Sequence, residues 1–194
     1  MDDADASRFS TDSRLLNPQD SVLLVVDIQQ KFAAALDDWE RLVARAGILV
    51  QACAQLEIPV LLSEQYPKGL GHTEASLAEC LPQNAVLFEK TAFGCGGLPD
   101  FQAHLAALNR KQIMVCGLEA HICVNQTVHE LLAARYQVHL VQDAIASRHK
   151  RDFKAAMAKM QQSGAIPSCV EMALFELLGS AVHPAFKSVQ SLIK

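Results

Sequence analysis

The sequence predicts an α/β protein whose strands lie parallel in one sheet. Residues 22–26 are apolar at every position, which is typical of a strand covered on both faces. Apolar residues then recur at helical spacing over residues 39–56. This strand and helix unit repeats along the chain, and such alternation predicts parallel βαβ units.

Each predicted strand is a short apolar run, and each predicted helix carries apolar residues three or four positions apart. Asp37 and Asp38 suit the start of the first helix, and Ser168 with Glu171 predicts a capping box at the start of the penultimate helix. The strands are predicted at residues 22–26, 58–62, 86–88, 113–116, 138–141 and 165–167. The helices are predicted at residues 39–56, 99–108, 122–134, 150–162, 170–178 and 184–193.

The chain of 194 residues fits a single domain, which we place at residues 19–194. Residues 1–18 are polar, and we expect a flexible arm there. This arm resembles neither a signal peptide nor a transit peptide, so a cytoplasmic location is expected. Residues 64–72 form the longest stretch without a predicted element, and long loops of this kind tend to be functional.

The composition excludes two classes of partner. Lys and Arg are scattered along the chain and the formal net charge is −4, so nucleic acid is not an expected partner. Apolar residues make up 51% of the sequence. No apolar run approaches the roughly 18 to 20 residues of a membrane span, so no membrane association is expected.

The six cysteines are expected to be reduced thiols. The chain has no C-x-x-C pair, and its histidines do not join the cysteines at zinc-finger spacing, so no structural zinc site is expected. Cys116, inside an apolar strand, and Cys53, on the apolar face of a helix, are interpreted as core residues. Cys123 differs because it follows a strand, at the start of a helix.

Polar residues terminate most of the predicted strands. The carboxyl ends of parallel strands meet at one edge of the sheet, and ligands bind there. A carboxylate, an amine and a thiol therefore arrive at the same edge, on Asp27, Lys90 and Cys123. The other polar residues at this edge are Ser63, Glu64, Glu89 and Asp143, the last of which is interpreted as a turn residue.

These three residues form a candidate catalytic set. The helix dipole at Cys123 favours the thiolate. Asp27 is able to take the thiol proton and later return it to a leaving group, while Lys90 holds acid and sulfur in register, as in a catalytic triad. The commoner fates of these residue types stay open, namely a turn cap for Asp27 and a solvated loop charge for Lys90.

The stretch Gly94-Cys95-Gly96-Gly97 follows a strand, as a dinucleotide-binding loop does, but the sixth position of the pattern is Pro99 rather than Gly. We interpret it as a flexible loop, and this disfavours a nucleotide-dependent oxidoreductase. His72 is a lone histidine in a Gly-rich loop, and is interpreted as a surface or substrate-facing group rather than a metal ligand.

Three segments are similar to the signature segments of isochorismatase-like cysteine hydrolases. They are VVDIQ at residues 25–29, EKTAF at 89–93 and GLEAHICV at 117–124, followed by Asp143-Ala144. The resemblance spans nearly the whole chain. Within the family, SEQYPKGLG at residues 63–71 resembles the isochorismatase domain-containing proteins.

The resemblance implies a three-layer α/β/α fold with a six-stranded parallel sheet, the Rossmann-like fold of these hydrolases. It implies Asp27, Lys90 and Cys123 as the catalytic triad. It also implies a cis peptide bond between Leu118 and Glu119, with the N–H groups of Glu119 and Cys123 as oxyanion donors. The substrate pocket is expected to be lined by Gln29, Phe32, Gln65, Tyr66, Phe93, His121 and Ile122.

Two departures from relatives bear on the activity. The Asp-x-His metal motif of nicotinamidases has no counterpart in residues 63–73, so no metal and no other cofactor is expected. Glu119 stands where smaller residues are usual. A cysteine at position 123 favours amide chemistry over the vinyl ether cleavage of isochorismatases proper.

The predicted function is hydrolysis of an amide-type C–N bond in a small molecule, through a thioester on Cys123. The alternative is a catalytically weak interaction or scaffold protein that keeps the hydrolase fold. Because family members commonly assemble symmetrically, a homo-oligomer is expected.

Overall fold

The computed structural model describes residues 14–194, and a six-stranded sheet forms its centre. The strand order is β3-β2-β1-β4-β5-β6 and every neighbouring pair is parallel, as predicted. The strands are β1 Ser21–Val26, β2 Val60–Gln65, β3 Val86–Lys90, β4 Gln112–Gly117, β5 Gln137–Ile145 and β6 Ile166–Ser168.

The helices lie on both faces of this sheet. They are α1 Trp39–Gln55, α2 Pro67–Leu70, α3 Ala75–Ala78, α4 Pro99–Ala107, α5 Asn125–Ala133, α6 Lys150–Gln162, α7 Val170–Leu178 and α8 Phe186–Ser191. A 3-10 helix, Gln30–Ala35, follows β1, and a π-helical turn, Ala120–Val124, precedes α5. The short helices α2 and α3 were not predicted, because four residues are too few to show helical periodicity.

The apolar run of β1 is explained by two cores, one on each face of the sheet. Leu23 and Val25 belong to the core formed with α1, α7 and α8, whereas Val22, Leu24 and Val26 belong to the core formed with α4, α5 and α6. All six residues of β1 are buried. Successive side chains of a strand point to opposite faces, so a strand covered twice needs apolar residues throughout. The three-layer α/β/α prediction is confirmed.

The start of α7 differs from the prediction. Ser168 ends β6 and its side chain does not cap the helix, so the predicted capping box with Glu171 is wrong. Instead, the Val170 N–H donates to Asp143 Oδ1 at 2.8 Å, and Arg45 Nε lies 3.6 Å from Asp143 Oδ2. The prediction that Asp143 is a turn residue is wrong, because Asp143 lies in β5 and its carboxylate accepts a hydrogen bond from the first turn of α7, 27 residues further along the chain.

The predicted flexible arm, residues 1–18, lies mostly outside the described residues. Within its last part, the Leu16 side chain is buried, and the Leu16 N–H donates to Glu176 Oε2 at 3.0 Å. These contacts hold that part of the chain against α7. Among residues 14–194, no helix is both long enough and apolar enough to cross a membrane.

Gly117 sets how closely β1 and β4 approach each other. Its φ is +115°, and a Cβ there would collide with the Val26 carbonyl oxygen. We therefore expect Gly117→Ala to lower the free energy of unfolding in urea by about 2 to 4 kcal/mol, from overpacking and backbone strain together. Gly97→Ala is the matched control, since a Cβ at Gly97 meets no atom within 4 Å. Equal stability of the two variants would contradict this account.

His139 makes the stability of the fold depend on pH. Burial lowers its pKa from 6.5 to about 4. The unfolded chain therefore takes up this proton first, and stability is lost as the pH falls from about 6.5 towards 4, by as much as about 3 kcal/mol. We expect urea titrations of His139→Gln to show a smaller loss than the wild type over this window. Parallel curves for the two proteins would refute the assignment.

Candidate active site

The candidate site lies where the strand order reverses, between β1 and β4. The chain runs from β1 outwards to β3, then returns to β4 on the other side of β1. In open parallel sheets, ligands bind at the carboxyl edge of such a reversal. Asp27 follows β1, Lys90 ends β3, and Cys123 lies in the π-helical turn after β4.

Asp27 and Lys90 form a buried ion pair. Lys90 Nζ lies 2.7 Å from Asp27 Oδ2, and the two side chains are 0% and 1% exposed. Lys90 Nζ also donates to Gln65 Oε1 at 2.9 Å and to the Phe93 carbonyl at 2.9 Å, while the Ser63 hydroxyl donates to Asp27 Oδ1 at 2.7 Å. The open alternative of a solvated loop charge therefore does not apply to Lys90.

The backbone places the Asp27 carboxylate in this position. Asp27 has a φ of 51°, in the left-handed region that Asp tolerates better than most residues. Its N–H donates to the Ser63 carbonyl at 3.1 Å, which extends the pairing of β1 with β2 by one residue. The side chain then turns out of the strand towards Lys90.

The Cys123 side chain lies close enough to Asp27 and Lys90 for both of their charges to affect the pKa of its thiol. It is 7% exposed. Burial, and then the negative charge of Asp27, raise the pKa of this thiol to about 12, against the opposing effect of Lys90. The prediction that the helix start favours the thiolate is wrong, because burial is the largest influence on this pKa and raises it.

Gln29 and Gln65 support Lys90 from inside the protein. Gln29 Nε2 donates to the carbonyls of Gln65 (3.0 Å) and Gly71 (2.6 Å), and Gln29 Oε1 accepts from the Gln65 N–H (2.8 Å). Gln65 Nε2 donates to the Thr91 carbonyl at 2.9 Å. Both side chains are buried, and their polar groups are used in these hydrogen bonds. Gln65 positions Lys90 directly and Gln29 holds Gln65, whereas both were expected to line the substrate pocket.

The other residues predicted to line the pocket differ in exposure. Tyr66 and Phe93 are half exposed, at 53% and 51%. Phe32 and Ile122 pack partly against opposite cores, and His121 is partly buried. These five residues leave more of their side chains accessible than do the two glutamines.

The glycine-rich stretch after β3 was predicted to be a flexible loop. Instead, it packs against α5. The Cys95 N–H donates to Thr127 Oγ1 at 3.1 Å, and the Gly96 N–H donates to Glu130 Oε2 at 2.6 Å. A Cβ at Gly94 would collide with the Glu130 carboxylate, which explains the glycine. This packing holds the segment whose Phe93 carbonyl accepts from Lys90.

Sequence reasoning did not place Cys95 or Ser63 in the site. The Cys95 thiol is fully buried, and burial raises its pKa, while the charges of Lys90 and Asp27 act on it in opposite directions. Ser63 was noted only as a polar residue at a strand end. The signal for both was their position beside the carboxyl edge of the sheet.

The segment leading to Cys123 has a second buried charge. The peptide bond between Leu118 and Glu119 is cis, as predicted. The Glu119 carboxylate is buried, with Arg148 Nε 2.5 Å from Oε1 and His121 Nδ1 3.4 Å from Oε2. Within residues 14–194, the Glu119 N–H has no hydrogen-bond acceptor. Nothing in the sequence pointed to Arg148.

His72 pairs with a carboxylate at the edge of the site. Its Nδ1 lies 3.1 Å from Glu64 Oε2, while Glu64 Oε1 accepts from the Thr73 N–H and hydroxyl. These contacts fasten the end of the loop that follows β2. In the described part of the chain, no three His, Cys, Asp or Glu side chains stand close enough together to hold a metal ion.

Comparison with known proteins agrees with this architecture. The family model of the Isochorismatase domain matches residues 21–172. Isochorismatase domain-containing protein 2 of Danio rerio is 38% identical over 180 residues, 92% of this chain and 89% of the relative. Isochorismatase family protein 1B of Dictyostelium discoideum is 35% identical over 182 residues, 91% of this chain and 87% of the relative.

Solved structures show the same fold. The structure of MAR1 ribonuclease from Caenorhabditis elegans superimposes with a TM-score of 0.89 at 39% identity, and the match covers 92% of each chain. The chain is thus similar to isochorismatase-domain proteins in sequence over most of its length and to a solved structure in fold. The chain therefore belongs to the isochorismatase-like hydrolase family.

Proposed function

We propose that the protein is a cysteine-dependent hydrolase that cleaves an amide-type C–N bond of a small molecule through a thioester. One observation carries this proposal: the Asp27–Lys90 ion pair is buried, and the Cys123 thiol lies close enough for both of its charges to act on the sulfur. A nucleophile beside a base that is itself oriented by a third group is the arrangement covalent catalysis requires.

Asp27 is the base in the first step. As the sulfur attacks the substrate carbonyl carbon, the thiol proton passes to the Asp27 carboxylate and the carbonyl electron pair moves onto the oxygen. The N–H groups of Glu119 and Cys123 receive this oxyanion, and the lack of an acceptor for the Glu119 N–H among residues 14–194 supports that role. Lys90 stays charged and keeps Asp27 oriented towards the sulfur.

Asp27 is the acid in the second step. The tetrahedral intermediate collapses, the C–N bond breaks, and the proton on Asp27 moves to the leaving nitrogen, so that ammonia or an amine departs. Water then attacks the thioester while Asp27 accepts its proton. Collapse of the second intermediate releases a carboxylic acid, and the proton returns to the Cys123 sulfur.

The raised pKa of Cys123 favours an amide over a more activated substrate. An amine leaves poorly unless it is protonated, so the catalyst must hold a proton close to the nitrogen. Because the pKa of this thiol is raised by burial and by Asp27, the proton stays between sulfur and carboxylate until a substrate arrives. The same proton is then available to the leaving group.

RNA is a second substrate class to test, because a structure 39% identical to this chain is titled a ribonuclease. Residues 148–154 carry four Lys and Arg, so the basic residues are less evenly scattered than the sequence prediction assumed. However, Arg148 pairs with Glu119 and Arg151 with Asp152, which leaves two lysines there to meet phosphates. We therefore place the amide hydrolase first and the non-catalytic scaffold last.

The nucleophile is tested by substitution. We expect Cys123→Ala to lower turnover of candidate amides at least about 1,000-fold, because the thioester no longer forms. Intact mass spectrometry of the wild type during turnover should show an acyl adduct that is absent from the variant. Cys80→Ala, which removes a partly exposed thiol that donates to the Ser76 carbonyl, is the matched control and should keep both. Undiminished turnover by Cys123→Ala, on amides or on RNA, would exclude the mechanism.

The proton on Cys123 is tested by alkylation. Since burial raises the pKa of this thiol to about 12, its iodoacetamide rate should climb about tenfold per pH unit from about pH 7 to pH 10 without a plateau. Peptide mapping resolves Cys123 from the other cysteines, and free glutathione gives the reference curve. Asp27→Asn should raise the rate at pH 8, because it removes the carboxylate charge that opposes ionisation. A plateau below pH 9 in the wild type would show that the thiol is not protonated at rest.

A further inference from the structure

We propose that Arg148 and Glu119 form a clamp that positions the Glu119 N–H for the oxyanion made when Cys123 attacks. This inference rests on the proposed function and adds two positioning residues to it. We call the pair the Arg148–Glu119 clamp. Neither side chain is assigned contact with the substrate.

The first observation is the condition of the Glu119 carboxylate. It is 3% exposed, and neither oxygen accepts a hydrogen bond of good geometry from the described residues. Arg148 Nε nevertheless lies 2.5 Å from Oε1. A buried carboxylate of this kind persists where an opposite charge compensates it, and here the compensation comes from the Arg148 guanidinium.

The second observation is that the loop after β5 lies alongside the segment before Cys123 and is joined to it by a series of contacts. The Ala120 N–H donates to the Ala146 carbonyl at 2.8 Å, and the Ala146 N–H donates to the Gly117 carbonyl at 3.1 Å. His121 Nδ1 lies 3.0 Å from the Ser147 hydroxyl. The Arg148–Glu119 clamp completes this series, so the backbone from Gly117 to His121 moves only together with the loop after β5.

The consequence concerns the direction of one N–H group. Oxyanion donors act because they are already aimed at the place where the charge develops. The Glu119 N–H has no acceptor among residues 14–194, and its own side chain is held by Arg148. Release of that side chain frees the peptide to turn, which weakens the donor while the thiol, Asp27 and Lys90 stay in place.

Two reagents separate this role from a general structural one. With p-nitrophenyl acetate, the Cys123 sulfur attacks the acetyl carbon, its proton passes to Asp27, the carbonyl becomes an oxyanion, and p-nitrophenolate leaves an S-acetyl cysteine. With iodoacetamide, the sulfur displaces iodide at a saturated carbon and no oxyanion forms. The ratio of the two rate constants at Cys123 therefore isolates oxyanion stabilisation.

The variants are Arg148→Ala, the isosteric Glu119→Gln, the double variant, and Arg148→Lys. We expect acetylation of Cys123 to slow about 10- to 100-fold in both single variants, with alkylation changed by less than about twofold. The double variant should be no slower than the slower single one, and Arg148→Lys should recover part of the rate. Arg151→Ala is the matched control, since Arg151 lies three residues after Arg148, is exposed, and pairs with Asp152. It should behave as the wild type.

An equal loss with both reagents, or no loss with either, overturns the clamp while leaving the nucleophile intact. A wild-type protein acetylated at other cysteines but not at Cys123 overturns the proposed function, and the clamp with it. The alkylation rate shows in each variant whether the site has kept its structure.

Discussion

The rest of the site depends on one constraint, the burial of two opposite charges, Asp27 and Lys90, out of contact with water. Removal of charges from water is unfavourable unless each receives hydrogen bonds as well as its partner, and loss of one partner typically costs about 3 to 5 kcal/mol. Ser63 satisfies the second oxygen of Asp27, and Gln65 with the Phe93 carbonyl satisfies Lys90. The ends of β1, β2 and β3 are thereby fixed relative to one another, since a shift of any of them would leave a buried charge without its partner.

Cys123 reaches the site from the other side of β1, from the segment that follows β4. Gly117 lets β4 lie against Val26 more closely than a side chain would allow, and the π-helical turn that follows carries the Cys123 sulfur back over the strand ends. The loop after β3 is held by Thr127 and Glu130 of α5, the helix that follows Cys123. The helix that follows Cys123 thus also holds in place the Phe93 backbone carbonyl that accepts from Lys90.

The sequence predicted most of the fold and the identity of the three central residues, because buried strands and helical periodicity are local patterns and parallel strands end at one edge. It did not predict interactions between distant residues with no pattern to connect them, as in the capping of α7 by Asp143 or the pairing of Arg148 with Glu119. It also misjudged the pKa of Cys123. Position at a helix start is visible in a sequence, whereas the degree of burial, which raises this pKa, depends on the packing of the whole edge.

The raised pKa gives the site a particular kind of selectivity. A thiolate reacts with oxidants and electrophiles of many kinds, but a thiol whose proton is shared with a buried carboxylate reacts slowly with all of them. In the proposed mechanism, Cys123 attacks only when a carbonyl is bound close enough for proton transfer to Asp27 and bond formation to proceed together, with N–H donors in place for the oxyanion. That mechanism makes reactivity depend on substrate position rather than on the ionisation of sulfur, and it gives the alignment of the segment from Gly117 to Cys123 as much weight as the three proposed catalytic side chains.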